Sequence, residues 1–139
     1  MAEVNEMNRP IVEEFRANEG KVGGMFAGLP LLLLHSTGAK SGEKRINPLA
    51  YQRLDDDRVA VFGSFGGAPR HPDWYYNVLA HPDVEVEIGT NRYPAKARVA
   101  TGEERKQIWE AQKATLPQFA EYEGKTEGRE IPVVVLDTV

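Results

Sequence analysis

Asp83-Val84-Glu85-Val86-Glu87-Ile88 and Tyr93-Pro94-Ala95-Lys96-Ala97-Arg98-Val99, on either side of Gly89-Thr90-Asn91-Arg92, alternate apolar and polar side chains. A period of two is that of a half-buried strand, so these residues predict an antiparallel hairpin with one wet face. The register that puts both apolar sets on one face pairs Ile88 with Tyr93 and Val86 with Ala95. It also sets Glu85 opposite Lys96.

Further strands flank this hairpin in both directions. Residues 30–36 are almost continuously apolar, which predicts a strand buried on both faces, and residues 131–136 read the same way. Residues 45–54 predict another strand, interrupted by Pro48 and therefore at an edge or a bulge. After the turn Asp55-Asp56-Asp57, Val59, Ala60, Val61 and Phe62 mark a strand over residues 58–64. Thr101 and Glu104 form a capping box for a helix running to about Thr115, and Pro117 ends it. At the N-terminus, residues 3–16 place Met7, Ile11, Phe15 and Val12 on one side of a helix that Pro10 weakens. Gly20, Gly23, Gly24 and Gly28 follow it. Six or so antiparallel strands with only short helices describe an α+β, mainly antiparallel β chain closed into a barrel, and exclude a βαβ nucleotide fold. Residues 1–27 form an N-terminal helix and glycine-rich lead-in, and residues 28–139 a single barrel domain.

Composition narrows the function. A chain of 139 residues with 27% charged and 41% hydrophobic residues suits one globular domain, folding alone or as a homo-oligomer. The formal net charge of -4 argues against bulk attraction to nucleic acid or an anionic membrane. Cysteine is absent, which rules out a disulfide framework, thiolate catalysis and zinc-thiolate sites, and favours an intracellular setting. The N-terminus lacks the basic start and apolar block of a signal peptide, so a cytoplasmic protein is expected. The N-terminal stripe could rest on the inner face of a membrane, although packing against the fold is the commoner use.

Three segments carry candidate chemistry. Thr37-Gly38-Ala39-Lys40-Ser41-Gly42-Glu43-Lys44-Arg45 reads as strand, turn and strand. Its glycines let backbone N–H groups converge on an anion, while Lys40 and Arg45 add charge, which suits a phosphate or carboxylate. A P-loop is excluded, because Ala39 rather than glycine precedes Lys40 and a strand follows. In Ser64-Phe65-Gly66-Gly67-Ala68-Pro69 two glycines allow close approach of backbone to a flat ligand or a second anion. In His71-Pro72-Asp73-Trp74-Tyr75-Tyr76-Asn77, proline at the first helical position starts a helix that puts Trp74, Asn77 and Val78 on one face. An aromatic ring beside an amide suits a planar heterocycle, and core packing of Trp74 suits the same pattern. At least one of Tyr75 and Tyr76 must then be exposed. His35, His71 and His81 lack metal-ligand spacing, and no nucleophile elbow surrounds Ser41 or Ser64. A cofactor cradle with no protein nucleophile remains.

These segments, with Arg45-Ile46-Asn47-Pro48-Leu49, Gly63 before the glycine loop, Val78-Leu79-Ala80-His81-Pro82, Thr101-Gly102-Glu103-Glu104-Arg105 and Ile131-Pro132-Val133-Val134-Val135, resemble the deazaflavin-dependent nitroreductase family. The resemblance covers residues 28–136. It implies a split β-barrel of the FMN-binding-like kind that binds coenzyme F420, whose tail carries phosphate and glutamates. On that pattern Lys40, Ser41, Gly42 and Arg45 hold the tail. Pro48 and the backbone of Ser64, Phe65, Gly66, Gly67 and Ala68 border the deazaflavin, and Trp74 and Asn77 line the pocket. Such proteins pass a hydride to a small electron-poor acceptor such as a quinone, enone or nitroaromatic. The accompanying proton comes from water or a hydroxyl side chain, for which Tyr122 and Ser64 are the candidates. Ala50, Leu116 and Phe119 depart from the pattern, standing where the nitroimidazole-activating member has tyrosines, and Phe65 replaces a lysine-type residue. Fewer hydroxyls point to a more apolar acceptor, quinone-like or enone-like. Three alternatives stand beside this one. They are an FMN-binding oxidoreductase on the same barrel, a non-catalytic deazaflavin carrier, and a structural barrel whose tryptophan is core.

Overall fold

The structure, a computed structural model, describes residues 2–4, 9–21, 23 and 29–139. Its elements are β1 (Ala2–Val4), α1 (Arg9–Ala17), β2 (Leu31–Thr37), β3 (Lys44–Asp55), β4 (Arg58–Phe62), α2 (Asp73–Ala80), β5 (Asp83–Ile88), β6 (Asn91–Val99), α3 (Gly102–Thr115), α4 (Gln118–Lys125) and β7 (Val133–Thr138). Strands β2 to β7 close into a ring in the order β3-β2-β5-β6-β7-β4, with β4 returning to β3, and all pairings in the ring are antiparallel. Closure depends on the length of β3. Its first half pairs with β2, from Thr37 opposite Lys44 to Leu31 opposite Ala50, and its second half pairs with β4, starting at Tyr51 opposite Val61.

Pro48 sits opposite Leu33, between the stretch of β3 that meets β1 (Lys44 to Ile46) and the stretch that meets β4. A residue without an N–H costs a sheet least where one side of the strand is unpaired.

The barrel interior is filled by Leu32, Leu34, Val59, Val61, Val84, Val86, Ala95, Ala97, Val134 and Leu136, with Trp74 and Val78 of α2 completing it. Outside the ring, Ala60, Phe62, Val133 and Val135 pack beneath Ile108 and Trp109 of α3 and Phe119 of α4. Leu31, Leu33 and Ile46 pack beneath Val12 and Phe15 of α1. This is why β2 and β7 are apolar at consecutive positions: each is covered on both faces. Each fully buried side chain of this size contributes about 1.5–3 kcal/mol.

The structure corrects several expectations. Val86 faces Tyr93 rather than Ala95, Val84 faces Ala95, and Asp83 rather than Glu85 faces Lys96. The turn is shorter than the sequence suggests: Gly89, at φ +59°, lets the chain reverse at once, so that Ile88 already pairs with Asn91. The slip is an even number of residues, so every apolar side chain keeps its face. Glu85 then pairs with Arg92 at 2.5 Å. At the N-terminus, residues 2–4 are a strand lying parallel to β3, and the helix starts only at Arg9; Met7 lies outside the described residues. The capping box is not made, because Thr101 occupies the N-cap with no side-chain bond and Glu104 is held instead by Arg98 at 2.7 and 3.0 Å. A bidentate charged pair outcompetes a bond to a neutral N–H. Pro72 is the N-cap of α2, one position earlier than expected. Pro117 ends α3 but is also the N-cap of α4, a helix the sequence does not announce.

Candidate functional site

The turn between β2 and β3 is closed by its own backbone. Gly38 N–H bonds Glu43 O at 2.8 Å, Gly42 N–H bonds Gly38 O at 3.0 Å, and Gly42 has φ +72°. Ser41 Oγ accepts the Glu43 N–H at 3.2 Å, so this hydroxyl shapes the turn from within. Lys40 is exposed at the tip. Arg45, half-buried, lies 3.6 Å from the Glu43 carboxylate, and Lys44 Nζ donates to Thr37 Oγ1 at 3.0 Å. An exposed ion pair of that kind is weak enough for a ligand anion to replace it.

Asn77 ties this turn to α2. Its Oδ1 accepts the Ala39 N–H at 2.9 Å, and the side chain is buried beside Trp74 and Val78 on the inner face of the helix. The shared face read from the sequence therefore exists, but Trp74 is only 4% exposed and belongs to the barrel core, not to an open pocket wall. Tyr75 is half-buried, and Tyr76 is 49% exposed.

The glycine loop leads from β4 into α2. Gly63 N–H bonds Pro132 O at 2.9 Å, and a Cβ at Gly63 would stand 2.6 Å from Pro132 Cγ. Ser64 is half-buried, with φ -69° and ψ -38°, while Phe65 takes φ +47° and Gly67 φ +86°. A left-handed phenylalanine is a strained residue, and such residues persist where their surroundings hold them. Residues Phe65–Gly67 form one 3-10 turn, with Gly67 N–H on Ser64 O at 2.9 Å and Ala68 N–H on Phe65 O at 3.1 Å. Phe65 is 45% exposed, and the Arg70 guanidinium lies 4.9 Å from its ring centre.

Tyr122 reaches the same loop through its backbone, because a Cβ at Gly67 would lie 2.9 Å from both Tyr122 O and Lys125 Cβ. Its half-buried ring packs on Phe119 at 5.3 Å between centres. Ala50, Leu116 and Phe119 join Tyr122 in one apolar cluster. Thus Lys40, Ser41 and Gly42 lie on the turn fastened to Asn77 and Arg45 at the start of the strand that follows it, whereas Ser64, Phe65, Gly66, Gly67, Ala68 and Tyr122 gather around the loop that precedes the same helix. An open groove beside the C-terminus of α1, lined by Ala17, Asn18, Glu19, Lys21 and Gly23, contains none of them.

Sequence reasoning missed Arg129. Its guanidinium donates to Gly63 O at 2.9 Å, Ser64 O at 2.9 Å and Ala68 O at 3.0 and 2.8 Å, and it meets His71 Nδ1 at 2.9 Å. Since arginine has only donors, Nδ1 is the acceptor and the imidazole proton sits on Nε2. Burial, then the Arg129 charge, holds His71 below its ordinary value, as a neutral ring requires. No local signal marks it: Arg129 reaches the loop only because Gly63 N–H bonds Pro132 O, a contact between residues far apart in the chain.

The family model described as F420H(2)-dependent quinone reductase matches residues 7–138. An F420H(2)-dependent quinone reductase of Mycobacterium tuberculosis (strain ATCC 25618 / H37Rv) is 36% identical over 126 residues, covering 88% of this chain and 83% of that protein. Among solved structures, an F420-H2 dependent reductase (FDR-A) is similar with a TM-score of 0.70 and 42% identity, over 78% of this chain and 94% of the other. A second, described as a domain-swapped dimer, gives 0.73 and 37% identity, over 95% and 98% of the two chains. The heme storage protein HutZ of Vibrio cholerae, at 13% identity and a TM-score of 0.59 over 94% and 89%, shares the fold alone.

Proposed function

The chain belongs to the F420H(2)-dependent quinone reductase family, and from that premise we propose that the turn held by Asn77 grips the acidic tail of the cofactor while the Ser64 to Ala68 loop borders its ring. The protein is a deazaflavin-dependent oxidoreductase, and its cofactor is coenzyme F420. When bound and reduced, that cofactor supplies the hydride delivered to an electron-poor acceptor.

The residues present fit such a group. Lys40 is a cation at the tip of a glycine turn, Arg45 meets Glu43 of that turn from the start of β3, and the turn is fixed in place by the Ala39 to Asn77 bond. That bond carries the proposal, because it anchors the anion turn on the same helix that the glycine loop feeds. Lys40 and Arg45 supply charge, Ser41 and Gly42 set the curvature, and Pro48 contributes a rigid edge. Trp74 and Asn77 act from beneath, as support for the two loops. Tyr122 and Ser64 are the hydroxyls proposed to orient an acceptor or pass it a proton.

The acceptor is a quinone or a similarly apolar enone. Ala50, Leu116 and Phe119 bring apolar groups, not hydroxyls, to the surroundings of Tyr122, and fewer hydroxyls near the acceptor favour a flat, poorly hydrated substrate. Self-association and a cytoplasmic location belong to the same reading. Among the described residues no helix is long and apolar enough to cross a membrane. Contact with a membrane surface through α1 would need Val12 and Phe15, and both are already buried against the barrel.

Fluorescence titration with F420 and, separately, with FMN tests the cofactor. F420 should bind while FMN does not compete, and the reverse order would overturn the proposal. Oxidation of reduced F420 by menadione, followed by absorbance, tests the reaction. Binding without turnover of menadione, an enone or a nitroaromatic would leave only a carrier.

A further inference from the structure

We infer that Arg129 is a positioning residue for the cofactor loop: by holding the carbonyls of Gly63, Ser64 and Ala68 it turns the opposite edge of the loop outward as a nest of N–H donors. The inference rests on the proposed role of that loop and adds the residue that gives it its shape.

The geometry follows from planar trans peptides, in which the C=O of one residue and the N–H of the next point in opposite directions. With Gly63 O and Ser64 O bonded to the guanidinium, the N–H groups of Ser64 and Phe65 are aimed away from it. Ser64 is right-handed helical and Phe65 left-handed. That succession is the backbone signature of an anion-binding nest. Phenylalanine does not adopt φ +47° unaided, and the bonds from Arg129 on both sides of it, at Ser64 O and Ala68 O, supply the restraint.

Charge points the same way. Among the described residues, the polar partners of Arg129 are three carbonyls and the Nδ1 of a neutral histidine, with no carboxylate. A half-buried guanidinium without a counter-charge leaves positive potential behind the nest, and a carbonyl or anionic edge of a heterocycle is the complement of that field. The turn at Lys40 addresses the tail, whereas the nest addresses the ring. The two contributions are therefore separable by a ligand that has the ring and no tail.

The experiment compares binding of F420 with binding of the deazaflavin nucleoside that lacks phosphate and glutamates, both by fluorescence titration. The proteins are wild type, Arg129→Lys, Arg129→Ala and Lys40→Ala. Melting without ligand shows which variants are folded, and affinities refer to the folded fraction. Arg129→Lys, which keeps the charge but not the fork, should lose about tenfold toward both ligands by the same factor. Lys40→Ala should weaken F420 alone. Added guanidinium ion in the millimolar range should restore part of the affinity of Arg129→Ala. If Arg129→Lys melts lower yet binds both ligands as wild type does, Arg129 is a structural staple and the inference is overturned. Loss confined to F420 would overturn it too, by placing Arg129 with the tail. Wild-type protein that binds neither ligand would instead remove the proposed function itself.

Discussion

Asn77 Oδ1 accepts the backbone N–H of Ala39 at 2.9 Å, so a buried amide on α2 fixes the one turn in which Lys40 is exposed. Asn77→Leu keeps the volume and removes the acceptor, leaving a backbone N–H without its partner. A cost of about 1–3 kcal/mol is expected, together with weaker F420 binding. Asn77→Asp separates the two effects: the carboxylate can still accept the bond, but it brings negative charge under an anion site. Thermal melting should show a smaller loss for the aspartate than for the leucine, while titration shows weaker cofactor binding in both.

Replacing Lys40 and Arg45 by alanine together should reduce F420 affinity by about tenfold or more, as loss of charge-assisted bonds implies. The salt dependence of binding should flatten at the same time. Affinities measured across a range of ionic strengths check both. A double variant that binds as wild type, with the same salt slope, would remove these cations from the site.

At Gly67, φ is +86° and an added Cβ would lie 2.9 Å from Tyr122 O. Gly67→Ala therefore combines a disfavoured backbone with pressure on α4. Destabilisation above about 1 kcal/mol is expected. Activity should fall further than stability alone explains, because Tyr122 moves with α4. Melting and turnover measured on the same preparation decide it.

Glu87 contributes to the pH dependence beside Asp55, Glu104 and Glu123, which are also held below their ordinary values. Burial raises its pKa, but bonds from Arg16 and His35 outweigh burial and hold it below the ordinary glutamate value of 4.5. In the window below 4.5 the unfolded chain binds the proton first. The stability this carboxylate contributes is thus complete above that value and lost as pH falls through the native one. Denaturant midpoints between neutral pH and the acid limb should fall more steeply for wild type than for Glu87→Gln. Parallel curves would assign the acid limb to other groups.

Much of the barrel was legible, because its strands announce themselves by period. Val84, Val86, Ala95 and Ala97 alternate, and the four leucines of β2 declare burial on both faces. The register of the hairpin was not legible, since the parity of the apolar set is the same for a two-residue and a longer turn. α4 was hidden because Pro117 looks like a terminator, whereas a proline also serves where a helix begins. In the candidate site, the two glycine turns and the shared face of Trp74, Asn77 and Val78 could be read from local spacing. What those residues touch could not: Asn77 meets Ala39, 38 residues away, and Arg129 meets Ser64, 65 residues away. Tertiary closure alone brings them together.

In β7, Val134 pairs with Val61 on one side and with Val99 on the other. Until residues 133–138 emerge from the ribosome, β4 and β6 are raw sheet margins, and the barrel interior lacks Val134 and Leu136. Such margins are templates for mispairing with other nascent chains. Fewer nascent chains at one time, as weak induction gives, should therefore raise soluble yield more for this topology than for one sealed by neighbours in sequence.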